Sequence, residues 1–118
     1  MSSDNLPFTM ATILEQCGGS NSTAVMVLEE FLNQAPTDIG EMETCLASGD
    51  LLTASKAAHR LKGTAGVLGA VRLHPLCADM ELTSKGGDAA KAAEVFAQLK
   101  AEAQCCVNAV PQGLDLLK

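Results

Sequence analysis

Ala58-His59-Arg60-Leu61-Lys62-Gly63-Thr64-Ala65-Gly66-Val67-Leu68-Gly69-Ala70 combines the period of an α-helix with residues that spoil its uniformity. At about 100° per residue, Lys62, Gly63 and Gly66 fall within about 60° of His59, while Ala54, Ala57, Leu61, Ala65 and Leu68 gather on the far side. One face is built for burial and the other is left open. A glycine inside a helix costs roughly 0.5–1 kcal/mol relative to alanine, so Gly63 and Gly66 weaken the element that carries them. What they provide is access: with no side chains beside it, a histidine ring can be reached by a large visitor. A neutral imidazole is a nucleophile and proton acceptor near neutral pH. Lys62, one turn on, is placed to neutralise an anion on or beside that ring.

Working outward, Ser48-Gly49-Asp50 makes a turn, and a helix runs from about Leu52 to Leu68, ended by Gly69. Before it lies a longer element opened by Ser20 to Ser22. Val25, Leu28, Leu32, Ala35, Ile39, Met42 and Leu46 recur there at alternating spacings of three and four, a bundle-type seam. Pro36 removes one backbone donor within this run, which predicts a kinked single helix rather than two. A short leading helix is predicted over Leu6 to Cys17, ended by Gly18-Gly19. After Gly69, Leu73, Leu76, Cys77 and Met80 define a fourth helix whose first turn accepts Pro75. Beyond Lys85-Gly86-Gly87-Asp88, the last helix shows Ala92, Phe96, Leu99, Ala103, Cys106 and Val110 and is expected to stop at or before Pro111. The pattern is all-α: an antiparallel up-down-up-down four-helix bundle with a short extra N-terminal helix.

The 118 residues make one domain over 1–118, with its core over about 5–110 and a loosely held tail over about 111–118. No basic, apolar leader opens the chain and no apolar run nears the ~20 residues a membrane span needs, so a cytoplasmic protein without membrane insertion is expected. Five cysteines (Cys17, Cys45, Cys77, Cys105, Cys106), with no C-x-x-C spacing, read as small apolar residues of a reducing compartment. The net charge is −6, yet no Asp or Glu occurs from Leu51 through Ala78, where Lys56, Arg60, Lys62 and Arg72 supply half of the eight cations. An acidic protein with one locally basic stretch argues against nucleic acid and for a small anion or an acidic protein pocket.

The motif A-H-R-L-K-G-T-A-G-V-L-G-A, with Leu76-Cys77-Ala78-Asp79-Met80-Glu81 after it, resembles histidine-containing phosphotransfer (HPt) domains. Their pattern is of the type A-H-x-L-K-G-x-x-x-x-x-G-A, followed by L-C-x-x-L-E on the next helix. The likeness extends over roughly residues 5 to 108. It implies a phosphocarrier of a multistep two-component phosphorelay, not an enzyme: His59 accepts a phosphoryl group from a receiver-domain aspartate and passes it to another receiver. Lys62 corresponds to the cation beside the phosphoryl group, Gly63 to the small residue that lets a receiver approach, and Gly69 to the glycine closing the motif. Gly66, Arg60 and Lys56 are expected to join Gly63 in partner docking, Gly66 from the face argument alone. The implied partners are response-regulator receiver domains and a hybrid sensor histidine kinase. No cofactor is expected on this chain, Mg²⁺ being supplied by the receiver.

Two other classes bear weighing. A binding-only bundle would keep the fold without relay activity. A metal-carrying bundle is disfavoured, because no Glu-x-x-His pair occurs and the two histidines lie fifteen positions apart. His74, beside Pro75 at a helix start, reads as a solvated surface residue.

Overall fold

A computed structural model describes residues 6–118; the part of the predicted domain and core that falls on residues 1–5 lies outside them. Five helices follow in order: α1 Met10–Gln16, α2 Asn21–Ser48, α3 Leu51–Leu68, α4 Leu73–Lys85 and α5 Ala89–Leu116. Each of α2 to α5 packs against its neighbours in sequence, and α2 closes the ring on α5. The bundle is the one the periodicity predicts, drawn out to 44 × 22 × 18 Å.

Local chemistry sets the helix ends. Ser20, Asp50 and Asp88 each accept a hydrogen bond from the backbone N–H three residues on, satisfying donors that a helix start leaves open. Gly49 and Gly69 end α2 and α3 in the left-handed region, at φ 80° and 62°. At Gly69 the need for glycine is also steric: a Cβ there would lie 2.8 Å from Thr12 Cβ and 2.9 Å from Thr9 Cβ. Thr9 grips the same turn, its Oγ1 donating to Gly69 O at 2.8 Å and its N–H to Leu68 O at 2.9 Å. The end of α3 is thereby tied to the segment that leads into α1.

Three expectations change. The leading helix begins at Met10, not Leu6, and residues 6–9 pack without helical structure. On α2 the innermost stripe is Ala24, Leu28, Phe31, Ala35, Asp38, Met42 and Cys45; Val25, Leu32, Ile39 and Leu46 flank it and are only partly buried. Both stripes keep the alternating spacing, and a charged residue in the true one disguised it. Pro36, exposed, lies within a single uninterrupted α2.

The third change is at the C-terminus, where α5 runs through Pro111 to Leu116 and the expected loose tail over 111–118 is helical as far as 116. Proline removes one N–H, but its ring points to solvent and the seam continues past it: Val110, Gly113 and Leu117 are buried. Phe8 comes so near Gly113 that a Cβ there would be 3.1 Å from its ring, and Leu28 is almost as close. Asn21 Nδ2 donates to Leu117 O at 3.2 Å, clipping the last turn to the start of α2. Burial against Phe8 and Leu28 outweighs the lost hydrogen bond.

If residues 111–117 are part of the core, Leu117→Ala should lower the unfolding free energy by about 2 kcal/mol in urea denaturation. A change within experimental error would restore the loose tail.

Candidate functional site

The middle of α3 carries the candidate residues, and its geometry follows the sequence reading. Ala54, Ala57, Ala58, Leu61, Ala65 and Leu68 have no exposed surface, while His59, Gly63 and Gly66 face outward. The His59 side chain is 66% exposed. A Cβ built on Gly63 meets nothing within 4 Å, so nothing inside the fold requires glycine there. At Gly66 an added Cβ would only touch the His74 ring at ordinary contact distance, 3.7 Å. Lys56 is exposed on the same helix, and Gly69 caps it as described.

α4 supplies a residue to which the sequence reading gave no role. Glu81, nearly buried, reaches across to α3: Oε2 lies 2.9 Å from His59 Nδ1 and Oε1 lies 2.7 Å from Lys62 Nζ. Lys85, one turn on in α4, donates to Oε2 at 3.1 Å. The hydrogen bond from Lys62 holds the Glu81 carboxyl down at about 2; burial works against this and Lys85 adds to it. Glu81 is therefore ionised at ordinary pH and can only accept. It follows that His59 Nδ1 carries the proton, leaving the Nε2 lone pair of the neutral ring free. Among the described residues Nε2 makes no hydrogen bond, and the ring is open to solvent. An imidazole whose proton-bearing nitrogen is held by a carboxylate is oriented and fixed in one tautomer.

The basic stretch of the sequence is not bare in space. Glu81 meets Lys62, and Arg60 donates to Asp38 Oδ1 from Nε at 3.2 Å and to Glu41 from Nη2. Carboxylates from α2 and α4 thus fill the acid-free window that the α3 sequence suggested. A cleft of about 450 Å³ runs beside His59, lined by Leu52, Ser55, Lys56, Arg60, Glu81 and Lys85. A second, of about 590 Å³, lies between α2 and α3 next to Gly63 and includes Met26, Val27 and Val67. A larger one, about 650 Å³, is lined by Leu6, Val71, Arg72 and Cys105 and contains none of the site residues. Arg72 therefore stands apart from His59's surroundings.

The cysteines behave as small apolar side chains: Cys45, Cys77 and Cys106 are buried, and all five are free thiols. Burial pushes the Cys77 and Cys106 thiols up to about 12, which keeps them protonated. Cys105 is the exposed member of its pair.

A helical bundle that presents one carboxylate-oriented, solvent-open histidine beside a lysine is the architecture of a histidine phosphotransfer module. Residues 26–109 match the Hpt domain family, and the chain belongs to it. Two solved structures share the fold. The HPT domain of a sensor hybrid histidine kinase from Shewanella is 22% identical with a TM-score of 0.82, the match covering 93% of this chain and 95% of that one. Histidine-containing phosphotransfer protein B from Pseudomonas aeruginosa PAO1 is 18% identical with a TM-score of 0.84, covering 92% and 95%. No curated protein matches the sequence.

Glu81 could have been found from the sequence, since it ends the quoted L-C-A-D-M-E segment and stands four residues before Lys85 and four after Cys77. Its folded pKa lies below that of the unfolded chain, about 2 against an ordinary 4.5. Its contribution to stability is therefore complete above about pH 4.5 and lost as pH falls towards 2. In acid titrations of unfolding free energy, the advantage of wild type over Glu81→Gln should shrink across that window. Parallel curves would show that the carboxylate is not held by these cations.

Proposed function

We propose that His59 is the phosphoryl acceptor of this histidine phosphotransfer protein, working between receiver domains of a multistep two-component phosphorelay. The observation that carries the reading is the His59–Glu81 hydrogen bond, which leaves Nε2 unprotonated and directed at solvent. Nε2 attacks the phosphorus of a receiver's aspartyl phosphate in line. The N–P bond forms as the P–O bond to the aspartate breaks, and the carboxylate leaves with the bonding pair. No proton has to move. The ring becomes cationic, and the Glu81 carboxylate beside Nδ1 stabilises that charge as it develops. Transfer onward is the same step in reverse.

Lys62 serves the phosphoryl oxygens. Its ammonium has three donors, of which Glu81 takes one, so two remain for an arriving anion. Gly63 leaves space above the helix, with Gly66 extending it, and Leu52 and Met26 expose apolar surface in the clefts on either side. Together with the rim cations Lys56 and Arg60 they form a face suited to a receiver domain. The receiver brings Mg²⁺ and most of the groups that stabilise the transition state, so this chain acts as a carrier rather than an enzyme. In the cell it would work in the cytoplasm, downstream of a hybrid sensor histidine kinase.

Incubation with phosphorylated receiver domains and Mg²⁺ tests the reading. His59→Gln should take up no phosphoryl group while keeping wild-type helicity, because the position is exposed. Gly63→Gln should unfold no more easily than wild type, since glycine is a poor helix former and the site is empty, yet accept phosphate at least tenfold more slowly. Equal labelling of wild type and His59→Gln would show that His59 is not the acceptor, and a wild type that took up nothing from any receiver with Mg²⁺ present would favour a binding-only bundle.

A further inference from the structure

Asp38 occupies a core position of α2 with no exposed surface, in a stripe otherwise made of Ala24, Leu28, Phe31, Ala35, Met42 and Cys45. Taking a carboxylate out of water costs several kcal/mol even when it is paired, and a well-packed hydrocarbon in its place is often neutral or stabilising. Stability alone therefore gives no reason for it. Its hydrogen bonds are directional: both oxygens accept from Gln34 Nε2 at 3.1 Å, and Oδ1 accepts from Arg60 Nε at 3.2 Å. Arg60 immediately follows His59, and its other arm reaches Glu41.

The surface that α3 turns inward explains why direction is needed there. Ala54, Ser55, Ala57, Ala58 and Ala65 make it smooth, with Leu61 and Leu68 the only large side chains in it. Small residues let neighbouring helices come close but resist rotation about the helix axis poorly. A roll of about 10° moves a side-chain atom some 6 Å from the axis by about 1 Å. That would stretch the 2.9 Å contact between His59 and Glu81 out of hydrogen-bonding range. The α4 side of α3 is held through Glu81; the α2 side is held by Asp38.

We infer that the pair formed by buried Asp38 and the partly exposed Arg60 is a positioning device: it fixes the roll of α3 against α2 and so keeps His59 Nδ1 on Glu81, with Nε2 in its reactive state. The consequence for transfer rests on the function proposed above, whereas the geometric claim stands by itself.

The test uses the full chain labelled with ¹⁵N, as wild type, as Asp38→Leu/Arg60→Leu, and as Arg60→Lys, which keeps the charge but loses the guanidinium fork. Ring ¹⁵N shifts of His59 at about pH 8, where an imidazole is neutral, report its tautomer. Phosphoramidate, a small-molecule phosphoryl donor, reports reactivity of the ring; nitrogen gains the phosphoryl group and ammonia leaves. In both variants the Nδ1–H tautomer should give way to a mixture and phosphorylation should slow by about tenfold, with helicity unchanged. Wild-type tautomer populations in both variants, whatever the rate, would overturn the inference. Should the double variant fail to fold, Arg60→Lys decides alone. Neither readout involves a receiver, so a wild type that accepted nothing from any receiver would count against the proposed function and leave the tautomer result standing.

Discussion

Glu81 Oε2 meets His59 Nδ1 while Oε1 accepts from Lys62, so one carboxylate sets the ring's orientation, its tautomer and the placement of the cation beside it. Few other residues could do this. A glutamine could accept from Nδ1, but it would bring no negative charge to hold Lys62 and Lys85 or to offset a cationic ring. A fully exposed carboxylate would be screened by water and lose much of its hold. Glu81 lies between these limits, nearly buried on α4 yet bordered by solvent on the His59 side, and its two lysines repay its desolvation. The bundle exists around this contact in a literal sense: α3 and α4 must lie side by side, at one depth and one roll, for it to form.

That requirement explains the asymmetry of α3. Its inner face is alanine-rich, which brings α2 and α4 close enough for side chains on both to reach the neighbourhood of residue 59. Its outer face gives up helix propensity at Gly63, where no internal contact asks for glycine. Closeness within and emptiness without are both bought with stability, and the length of α2 and α5, each 28 residues, supplies compensating apolar burial beyond the site. Phe8, Leu28, Val110 and Leu117 do that work at the end of the molecule where α3 terminates.

Much of this was legible in the sequence because it depends on period. The helix count, the α5 seam up to Val110, the open face of α3 and the turn at Ser48-Gly49-Asp50 all follow from spacing and cap residues. The failures share a cause. Proline reads as a stop at residue 111 because the missing N–H is a local fact, whereas what outweighs it, the packing of Gly113 against Phe8 and Leu28 and the tie of Leu117 to Asn21, comes from residues far away in sequence. Asp38 and Glu81 give no sign of burial in the sequence, because charge ordinarily means surface. Each is instead satisfied by a partner on another helix, 22 positions distant.

Charged groups in the interior also explain how a small bundle can be both smooth and specific. Hydrocarbon packing rewards contact area and is nearly indifferent to a few degrees of rotation when the packed residues are alanines; a hydrogen bond to a carboxylate fails over about an ångström. Two such bonds on opposite flanks of α3, one through Arg60 and one through His59 itself, convert a tolerant interface into a defined one. The proposed acceptor is thus part of its own support, and the nitrogen proposed to react is not the one that Glu81 holds. On the proposed function, loading and unloading the ring at Nε2 does not require the contact between α3 and α4 at Nδ1 to break.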